Sequence, residues 1–262
     1  MIALKALVLG IVEGITEFLP ISSTGHLIVA SSIIDYPARS RETFEIFIQL
    51  GAILAVVWHY WRPLVVLMAR APREPQPREL VGKVLLAFVP AAIVGFLFHR
   101  LIEEQLFSSR VVATTLIVGG VIIIVIERQS LRFDVHEIAK TRWVQAFWIG
   151  VAQVFSLIPG TSRAGATIIG GMLAGLNRPA ATQFSFYLSI PTMFAASLYS
   201  LFKARHLLAM DDALPLAIGF VGAFVSALIV VRAFIAFVQR HDFTGFGYYR
   251  ILAGIVILVV LG

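Results

Sequence analysis

Long apolar runs separated by short charged segments constrain this chain more than any other feature. Four of these runs contain no charged residue: 111–126, 143–162, 179–202 and 213–231. A helix needs about 20 mostly apolar residues to cross a bilayer. Only 14% of the residues are charged, whereas soluble domains carry roughly 25%. We therefore predict an all-α polytopic membrane protein that forms a single integral membrane domain.

The basic residues lie in the short segments between the apolar runs, which is a pattern of membrane topology. We therefore do not interpret the net charge of +6 as a nucleic-acid-binding signal. We expect membrane lipid, and no nucleic acid, as a partner. The absence of cysteine excludes disulfide and thiolate chemistry. The first apolar run continues directly into a polar motif, so we expect that it is not a cleaved signal peptide.

The first polar motif, residues 10–26, reads GIVEGITEFLPISSTGH. Glu13 and Glu17 are four residues apart, so they lie on one face of a helix. Pro20 is expected to end that helix. The polar residues that follow form a turn: Ser22, Ser23 and Thr24. Ionisable groups at membrane depth are costly unless they are paired or bind an ion, which makes this motif a candidate functional site.

Two carboxylates on one helical face repel each other unless they share a proton or a cation lies between them. We predict that Glu13 and Glu17 bind a divalent cation, with a proton-sharing pair as the alternative. Oxygen ligands favour Mg²⁺ or Ca²⁺ over softer metals. His26 closes the motif beside the hydroxyl turn, and we predict a catalytic role for it. The alternative is a buried histidine that is only hydrogen-bonded.

The second polar motif, residues 159–167, reads PGTSRAGAT. Arg163 is the single charge in the run 143–176. A guanidinium matches the oxygens of a phosphate, and glycines let the amides at a helix start approach an anion. A purely architectural ion pair with Glu13 or Glu17 is the alternative. The predicted phosphate-binding residues are Arg163, Ser162, Thr167, Ser22 and Thr24.

A shift of 140 residues aligns the two motifs. The aligned pairs are Gly10 with Gly150, Glu13 with Gln153, Ser22 with Ser162 and Gly25 with Gly165. Paired interruptions of apolar segments indicate a midplane site between inverted repeats. We therefore predict two inverted repeats, about 1–135 and about 141–262.

Each predicted repeat is a re-entrant helical hairpin followed by three transmembrane helices. The hairpins are 2–34 and 143–176, since neither arm is comfortably long enough to span. The predicted spans are 45–61, 84–98 and 111–126 in the first repeat, and 181–202, 213–231 and 246–261 in the second. Three spans per repeat is an odd number, so the second repeat enters the membrane upside down relative to the first.

Loop charges orient this arrangement. Thirteen basic residues, Arg250 among them, fall on one side, and seven, Arg205 among them, fall on the other. Excess Lys and Arg marks the cytoplasmic side, so both termini and the entry of the first hairpin face outside. We also expect a cytoplasmic linker at 70–79 and a solvated loop, without a metal site, at 134–137.

Carboxylates for a cation, hydroxyls, an imidazole and an arginine together suit phosphoryl transfer. In a chain with almost no soluble part, the expected substrate is a lipid phosphate. The sequence does not decide whether Ser23, His26 or an activated water attacks the phosphorus. It also leaves the oligomeric state open.

At these residues the chain resembles the bacitracin-resistance family of undecaprenyl-diphosphate phosphatases. Segment 13–26 resembles the glutamate-rich motif of that family, 159–167 its second motif, and the resemblance extends over the full chain, including 43–51. It implies hydrolysis of a polyprenyl diphosphate lipid, undecaprenyl diphosphate, to the monophosphate and phosphate. This reaction recycles the lipid carrier of cell-wall synthesis and confers bacitracin resistance.

The resemblance also implies a location and a set of functional residues. The location is the bacterial inner (plasma) membrane, with the active site open to the periplasmic or extracellular side. The chain departs from the family pattern at Ala164, where a serine is expected. A transporter or flippase for a polyprenyl phosphate is the alternative, because inverted repeats with broken helices are also transporter architecture. The implied functional residues are Glu13, Glu17, Ser23, His26 and Arg163.

Overall fold

The fold was analysed in a computed structural model that describes residues 2–204 and 213–261. Arg205, one of the counted loop charges, lies outside the described residues. The helices are α1 Ile2–Thr16, α2 Ser23–Ile33, α3 Ala38–His59, α4 Trp61–Arg70, α5 Pro75–Leu106, α6 Ser109–Glu127, α7 Trp143–Val154, α8 Arg163–Leu173, α9 Arg178–Ala204, α10 Ala213–Val238 and α11 Thr244–Leu261. Short 3₁₀ turns occupy Ile138–Lys140 and Phe155–Leu157. The prediction of an all-α polytopic membrane protein is confirmed.

Four helical segments are long and apolar enough to cross a membrane: Pro75–Phe98, Ser109–Glu127, Arg178–Lys203 and Ala213–Val238. They contain the predicted spans 84–98, 111–126, 181–202 and 213–231. The predicted span 45–61 lies mainly in α3, which is bent by 71° from the unpredicted helix α4. The predicted span 246–261 lies in α11, a shorter apolar helix.

Both proline-containing stretches fold as two helices joined by a turn. Helix α1 ends at Thr16, four residues before Pro20, because a proline ring clashes with the carbonyl of the fourth residue before it. Helix α7 ends at Val154, and a 3₁₀ turn leads to Pro159. The second arms, α2 and α8, each contain 11 residues. That length is about half of what a spanning helix needs.

Close helix packing holds the two hairpins in place. Helix α1 packs along α10, α7 along α5, and α6 along α11. Small residues make these approaches possible: a Cβ on Gly10 would lie 2.2 Å from the carbonyl oxygen of Gly219. Large apolar side chains such as Val259, Ile33 and Phe96 remain 81%, 75% and 71% exposed. An outward apolar surface of this kind is expected of a protein that contacts lipid.

Two segments between the helices bear on the predictions. The linker expected at 70–79 is shorter than predicted, because α5 already begins at Pro75. Proline is tolerated in the first turn of a helix, where its missing N–H has no helical partner in any case. The loop at 134–137 exposes its polar side chains, as predicted, while Val135 is buried. Its backbone binds the α8–α9 turn, since Asn177 N donates to Val135 O.

Candidate active site

The first turn brings both carboxylates to the inside of the protein. Glu17 N still donates to Glu13 O at 2.9 Å, which continues the last turn of α1. Glu13 is 2% exposed and Glu17 is 8% exposed. The chain then reverses through Ser22, whose φ of 70° is a conformation that side chains other than glycine rarely adopt. Helix α2 begins at the next residue, Ser23, whose Oγ donates to Glu17 Oε2 at 2.5 Å.

The second turn has a closely similar backbone and places Arg163 at the start of α8. Gly160 has a φ of 88°, and a Cβ there would lie 2.2 Å from Thr115 Oγ1, so the position requires glycine. Ser162 has a φ of 72°. Its Oγ accepts a hydrogen bond from Gly165 N at 3.0 Å and thereby caps α8. The same hydroxyl donates to Leu19 O in the first turn at 3.4 Å.

The two turns meet at the carboxylate of Glu17. Its Oε1 accepts a hydrogen bond from Arg163 Nη2 at 3.1 Å, while its Oε2 accepts from Ser23. The side chains of Arg163 and Glu17 are 10% and 9% exposed. The Arg163 guanidinium also lies 5.5 Å from the centre of the Phe18 ring. Three of the predicted site residues are thus brought together from sequence positions about 140 apart.

Two buried polar atoms near this contact lack a partner within the described part of the chain. They are Glu13 Oε2 and Arg163 Nε. Buried polar atoms without partners are costly unless a ligand, ion or water satisfies them. One carboxylate oxygen and one guanidinium N–H are therefore available to a cation and to a phosphate.

Glu13 and Glu17 fit a divalent cation that completes its coordination with other oxygens. Residues 2–204 and 213–261 contain no group of three or more His, Cys, Asp or Glu side chains placed to hold a metal. Mg²⁺ is commonly held by one or two carboxylates together with substrate phosphates and water. The donor set therefore suits a cation that arrives with, or is completed by, a diphosphate.

His26 lies on the first turn of α2 but faces α11. Its Nδ1 donates to Ser22 O at 2.7 Å, and its Nε2 is 2.6 Å from the hydroxyl of Tyr249. The two rings are stacked, with centres 5.5 Å apart. The structure thus does not bring the imidazole into contact with Glu17 or Arg163, and both of its nitrogens already have partners.

The remaining predicted residues surround the contact at different depths. Thr167 is fully buried, and its Oγ1 is 2.6 Å from Ser185 Oγ. Ser185 in turn accepts a hydrogen bond on its backbone oxygen from Arg163 Nη1 at 3.4 Å. Ser22 is 3% exposed, and Thr24 is half-buried beside Ser23. Thr167 therefore packs beneath the arginine.

Arg250 corrects the loop-charge count, which wrongly placed it in a cytoplasmic loop. It belongs to α11 and is 1% exposed. Its guanidinium donates at 2.9 to 3.3 Å to five backbone oxygens, those of Pro20, Gly160, Thr161, Thr115 and Leu116. A guanidinium has five N–H donors, and all five are used here. Arg250 therefore ties both turns to α6.

The role of Arg250 follows from the two turns themselves. Non-helical backbone at membrane depth is tolerated only where its polar groups find partners inside the protein. The carbonyls of both turns find that partner in one side chain. The available sequence signal was an arginine within the predicted apolar span 246–261. The loop-charge count includes Arg250 although it lies within that predicted span.

These features define a class: a polytopic helical membrane protein with a buried carboxylate–hydroxyl–guanidinium site built from two broken apolar segments. The chain belongs to the family described as bacitracin resistance protein BacA, whose model matches residues 6–256. It is 53% identical over 256 residues to undecaprenyl-diphosphatase 2 of Rhodospirillum rubrum, covering 97% of this chain and 93% of the relative. It is 50% identical over 256 residues to the undecaprenyl-diphosphatase of Nitrosospira multiformis, covering 98% and 94%. It is 49% identical over 253 residues to the Aromatoleum aromaticum undecaprenyl-diphosphatase, covering 97% and 92%.

Proposed function

We propose that the two turns form the active site of an enzyme that hydrolyses undecaprenyl diphosphate to undecaprenyl phosphate and inorganic phosphate. The observation that carries this proposal is the Glu17 carboxylate, which contacts a hydroxyl and a guanidinium at once. Relatives at about half identity are named undecaprenyl-diphosphatases over nearly the whole chain. The reaction recycles the lipid carrier of cell-wall synthesis, and it confers bacitracin resistance.

Ser23 is the nucleophile in the chemistry that the geometry favours. Its Oγ attacks the terminal phosphorus, and Glu17 accepts the hydroxyl proton across the 2.5 Å contact. The bond from that phosphorus to the bridging oxygen breaks, and undecaprenyl phosphate leaves. Water then attacks the phosphoserine, and its hydroxyl joins the phosphorus to give inorganic phosphate. Glu17 returns its proton to Ser23 Oγ, and the second proton of the water leaves to solvent.

Arg163 binds the phosphate oxygens during this transfer. Phosphoryl transfer depends mostly on positioning and on neutralising charge at the equatorial oxygens. A guanidinium can do both, since it is always charged and its planar donors match phosphate. The Nε donor that lacks a partner within the described residues is available for this contact. Ser162, Thr167, Ser22 and Thr24 are proposed to complete or support the phosphate-binding site.

Glu13 and Glu17 would hold the divalent cation, Mg²⁺ or Ca²⁺. When bound, the ion neutralises negative charge on the diphosphate. The buried Oε2 of Glu13, which has no partner within the described residues, would be one ligand of the ion. Glu17 would place the ion next to Ser23 and Arg163, which its carboxylate contacts. His26, on the first turn of α2, is proposed to transfer a proton during the reaction. To do so, its imidazole would exchange its contact with Tyr249 for one with the substrate.

We also propose that the molecule is one membrane domain of two inverted repeats, about 1–135 and 141–262, each a re-entrant hairpin plus three transmembrane helices. Helices α2 and α8 have equal length and begin 140 residues apart. Ser22 and Ser162 share an uncommon φ, 70° and 72°. The packing of α1 on α10 also corresponds to that of α7 on α5.

The proposed location is the bacterial inner membrane, with the site open to the periplasmic or extracellular side. The excess of Lys and Arg on the opposite loops supports this orientation. The lipid substrate would then present its diphosphate at the outer surface of the membrane.

Phosphate release from undecaprenyl diphosphate by the purified protein in detergent tests this proposal. The assay is run with and without a divalent-metal chelator, beside Glu17→Ala and Arg163→Ala. Arg178→Ala provides a matched control, because Arg178 pairs with Glu127 outside the site. We expect metal-dependent release that both site variants lose and the control keeps. No release by well-folded wild-type protein would overturn the enzyme and favour the transporter alternative.

A further inference from the structure

An apolar groove of about 410 Å³ lies between α2 and α11. One wall is a single face of α2, at residues 25, 26, 29, 30 and 33, and Leu252, Ala253 and Val256 of α11 form part of the other. Leu116 and Ile257 lie on its floor and are 0% and 3% exposed. The rim at Ile33 and Leu252 is 75% and 62% exposed. The groove is therefore closed below and open to the lipid side.

The polar end of the groove lies on the first turn of α2, the turn that begins at Ser23. Its side chains are apolar except for His26 and Tyr249, which are joined at 2.6 Å. His26 is three residues after Ser23 on the same helix, so both lie on the first turn of α2. From there the lined face extends to Ile33, the last residue of α2. That distance is roughly 10 Å at 1.5 Å per residue.

Two other surface grooves allow a comparison. The groove between α1 and α10 is larger, about 520 Å³, and residues such as Ile11 and Val225 line it. It contains no residue of either turn. The groove beside α8 is smaller, about 270 Å³, and Ala166 occupies the position that corresponds to His26. Only the groove beside α2 among these three has an apolar wall on the helix that carries Ser23.

We propose that the α2–α11 groove holds the first isoprene units of the polyprenyl chain while the diphosphate lies at Ser23 and Arg163. This inference rests on the proposed function and adds where the lipid part of the substrate binds. The polyprenyl chain must leave a buried polar site along an apolar surface. This groove begins one helical turn from Ser23, the proposed nucleophile. Its volume lies in the range of small-molecule sites, about 300–1,000 Å³.

The groove positions the substrate and adds little to the affinity with which the substrate binds. Lipid tails are as apolar as the side chains that line it, so moving a polyprenyl chain from bilayer to groove changes little apolar contact with water. Seating the first units fixes the direction of the diphosphate relative to Ser23. Filling the groove should therefore displace the chain without altering the groups at the reacting phosphorus.

Ala253→Trp tests this inference, and Val225→Trp in the α1–α10 groove is the matched control. We expect Ala253→Trp to lower kcat for undecaprenyl diphosphate about tenfold, because a displaced polyprenyl chain misdirects the diphosphate, with KM within about twofold of wild type. Val225→Trp should leave both constants unchanged. Ala30→Phe, on the opposite wall, gives a second filling variant in case Ala253→Trp does not fold. An unchanged kcat in a folded groove variant would overturn the proposal.

Photocrosslinking tests occupancy directly. A benzophenone amino acid at position 253 should label with radioactive undecaprenyl diphosphate, and excess unlabelled substrate should abolish the label. The same group at position 225 should not give a competed label. Equal labelling at both positions, insensitive to the competitor, would mean that ordinary bilayer chains fill the groove. Failure of the proposed function would show differently, because wild-type protein itself would then release no phosphate.

Discussion

The two turns have similar backbone conformations but different functional side chains. Both reverse the chain through a serine with a φ of 70° or 72°, and both lead into an 11-residue helix. At corresponding positions, however, the first turn has Ser23 and the second has Arg163. Glu17 likewise corresponds to Leu157. Neither turn alone contains all three groups that meet in the structure: the Ser23 hydroxyl, the Glu17 carboxylate and the Arg163 guanidinium.

The site therefore forms where two turns of similar backbone conformation bring complementary side chains together. The first turn supplies hydroxyl and carboxylates, and the second supplies the positive charge, which meets Glu17 at 3.1 Å. Glu13 and its counterpart Gln153 are both buried, and each has one side-chain atom without a partner among the described residues. If the site binds a divalent cation as proposed, the charged carboxylate of Glu13 would attract it more strongly than the neutral amide of Gln153.

Both turns bind the Arg250 side chain, and its loss should have the largest effect on the stability of the protein. In Arg250→Met five backbone oxygens lose a donor, and three of them, those of Pro20, Gly160 and Thr161, lie outside the helices. Each buried acceptor left unsatisfied costs about 1–3 kcal/mol. We expect the free energy of unfolding in detergent to fall by about 3 kcal/mol or more, as followed by tryptophan fluorescence.

Arg240→Met is the control for this change, because Arg240 is an exposed arginine outside the helices. It should unfold like the wild type. Arg250→Lys should fall between the two, since an ammonium offers three donors in place of five. Wild-type stability in Arg250→Met would show that the two turns hold their shape independently.

Arg163→Lys tests the charge supplied by the second turn. We expect kcat for undecaprenyl diphosphate to fall about 10²- to 10³-fold, the usual loss when one donor to a developing negative charge is removed. A lysine keeps the charge but lacks the planar set of donors. Arg178→Lys changes another arginine–carboxylate pair, that with Glu127, and should leave kcat unchanged. Similar kcat losses in both variants would indicate a purely architectural role for Arg163.

The side chains that meet at this site could be predicted from the sequence, but the contacts that hold the two turns in place could not. Composition identified the membrane class, and the two polar interruptions identified Glu17, Ser23 and Arg163, because charged groups at membrane depth are conspicuous. The partners of Arg250 are backbone oxygens from three separate segments, and such groups leave no mark in a sequence. Helix α4 was missed although the sequence carries a signal for it, because the ring of Pro63 clashes with the carbonyl of the fourth residue before it, His59, where α3 ends.

Glu13→Gln tests the difference between a carboxylate and an amide at corresponding positions. We expect the Mg²⁺ concentration for half-maximal phosphate release to rise about 10- to 100-fold, an effect typical of weakened metal sites. Gln153→Leu should not change it, because the second hairpin holds no cation in this account. Metal titrations of the two purified variants make the measurement. An equal shift in both variants would contradict the asymmetric site.

Ser162→Ala should have the smallest effect, on stability. Ser162 Oγ accepts from Gly165 N and so caps α8, whereas the Ser22 side chain makes no capping bond to α2. Loss of a serine cap costs about 1 kcal/mol. We therefore expect a lower melting temperature in detergent for Ser162→Ala and none of this loss for Ser22→Ala. Equal losses would show that the two serines have the same local role.

Trapping of a phosphorylated enzyme shows whether Ser23 attacks the terminal phosphorus. Substrate labelled on its terminal phosphate is mixed with excess protein, and the reaction is stopped with acid within its first turnover. If Ser23 attacks the phosphorus, acid-stable label forms on wild-type protein and on His26→Ala, and none forms on Ser23→Ala. Continued turnover by Ser23→Ala, with no acid-stable label on the wild type, would contradict attack by Ser23. It would leave water, or His26, whose phosphorylated form does not survive acid.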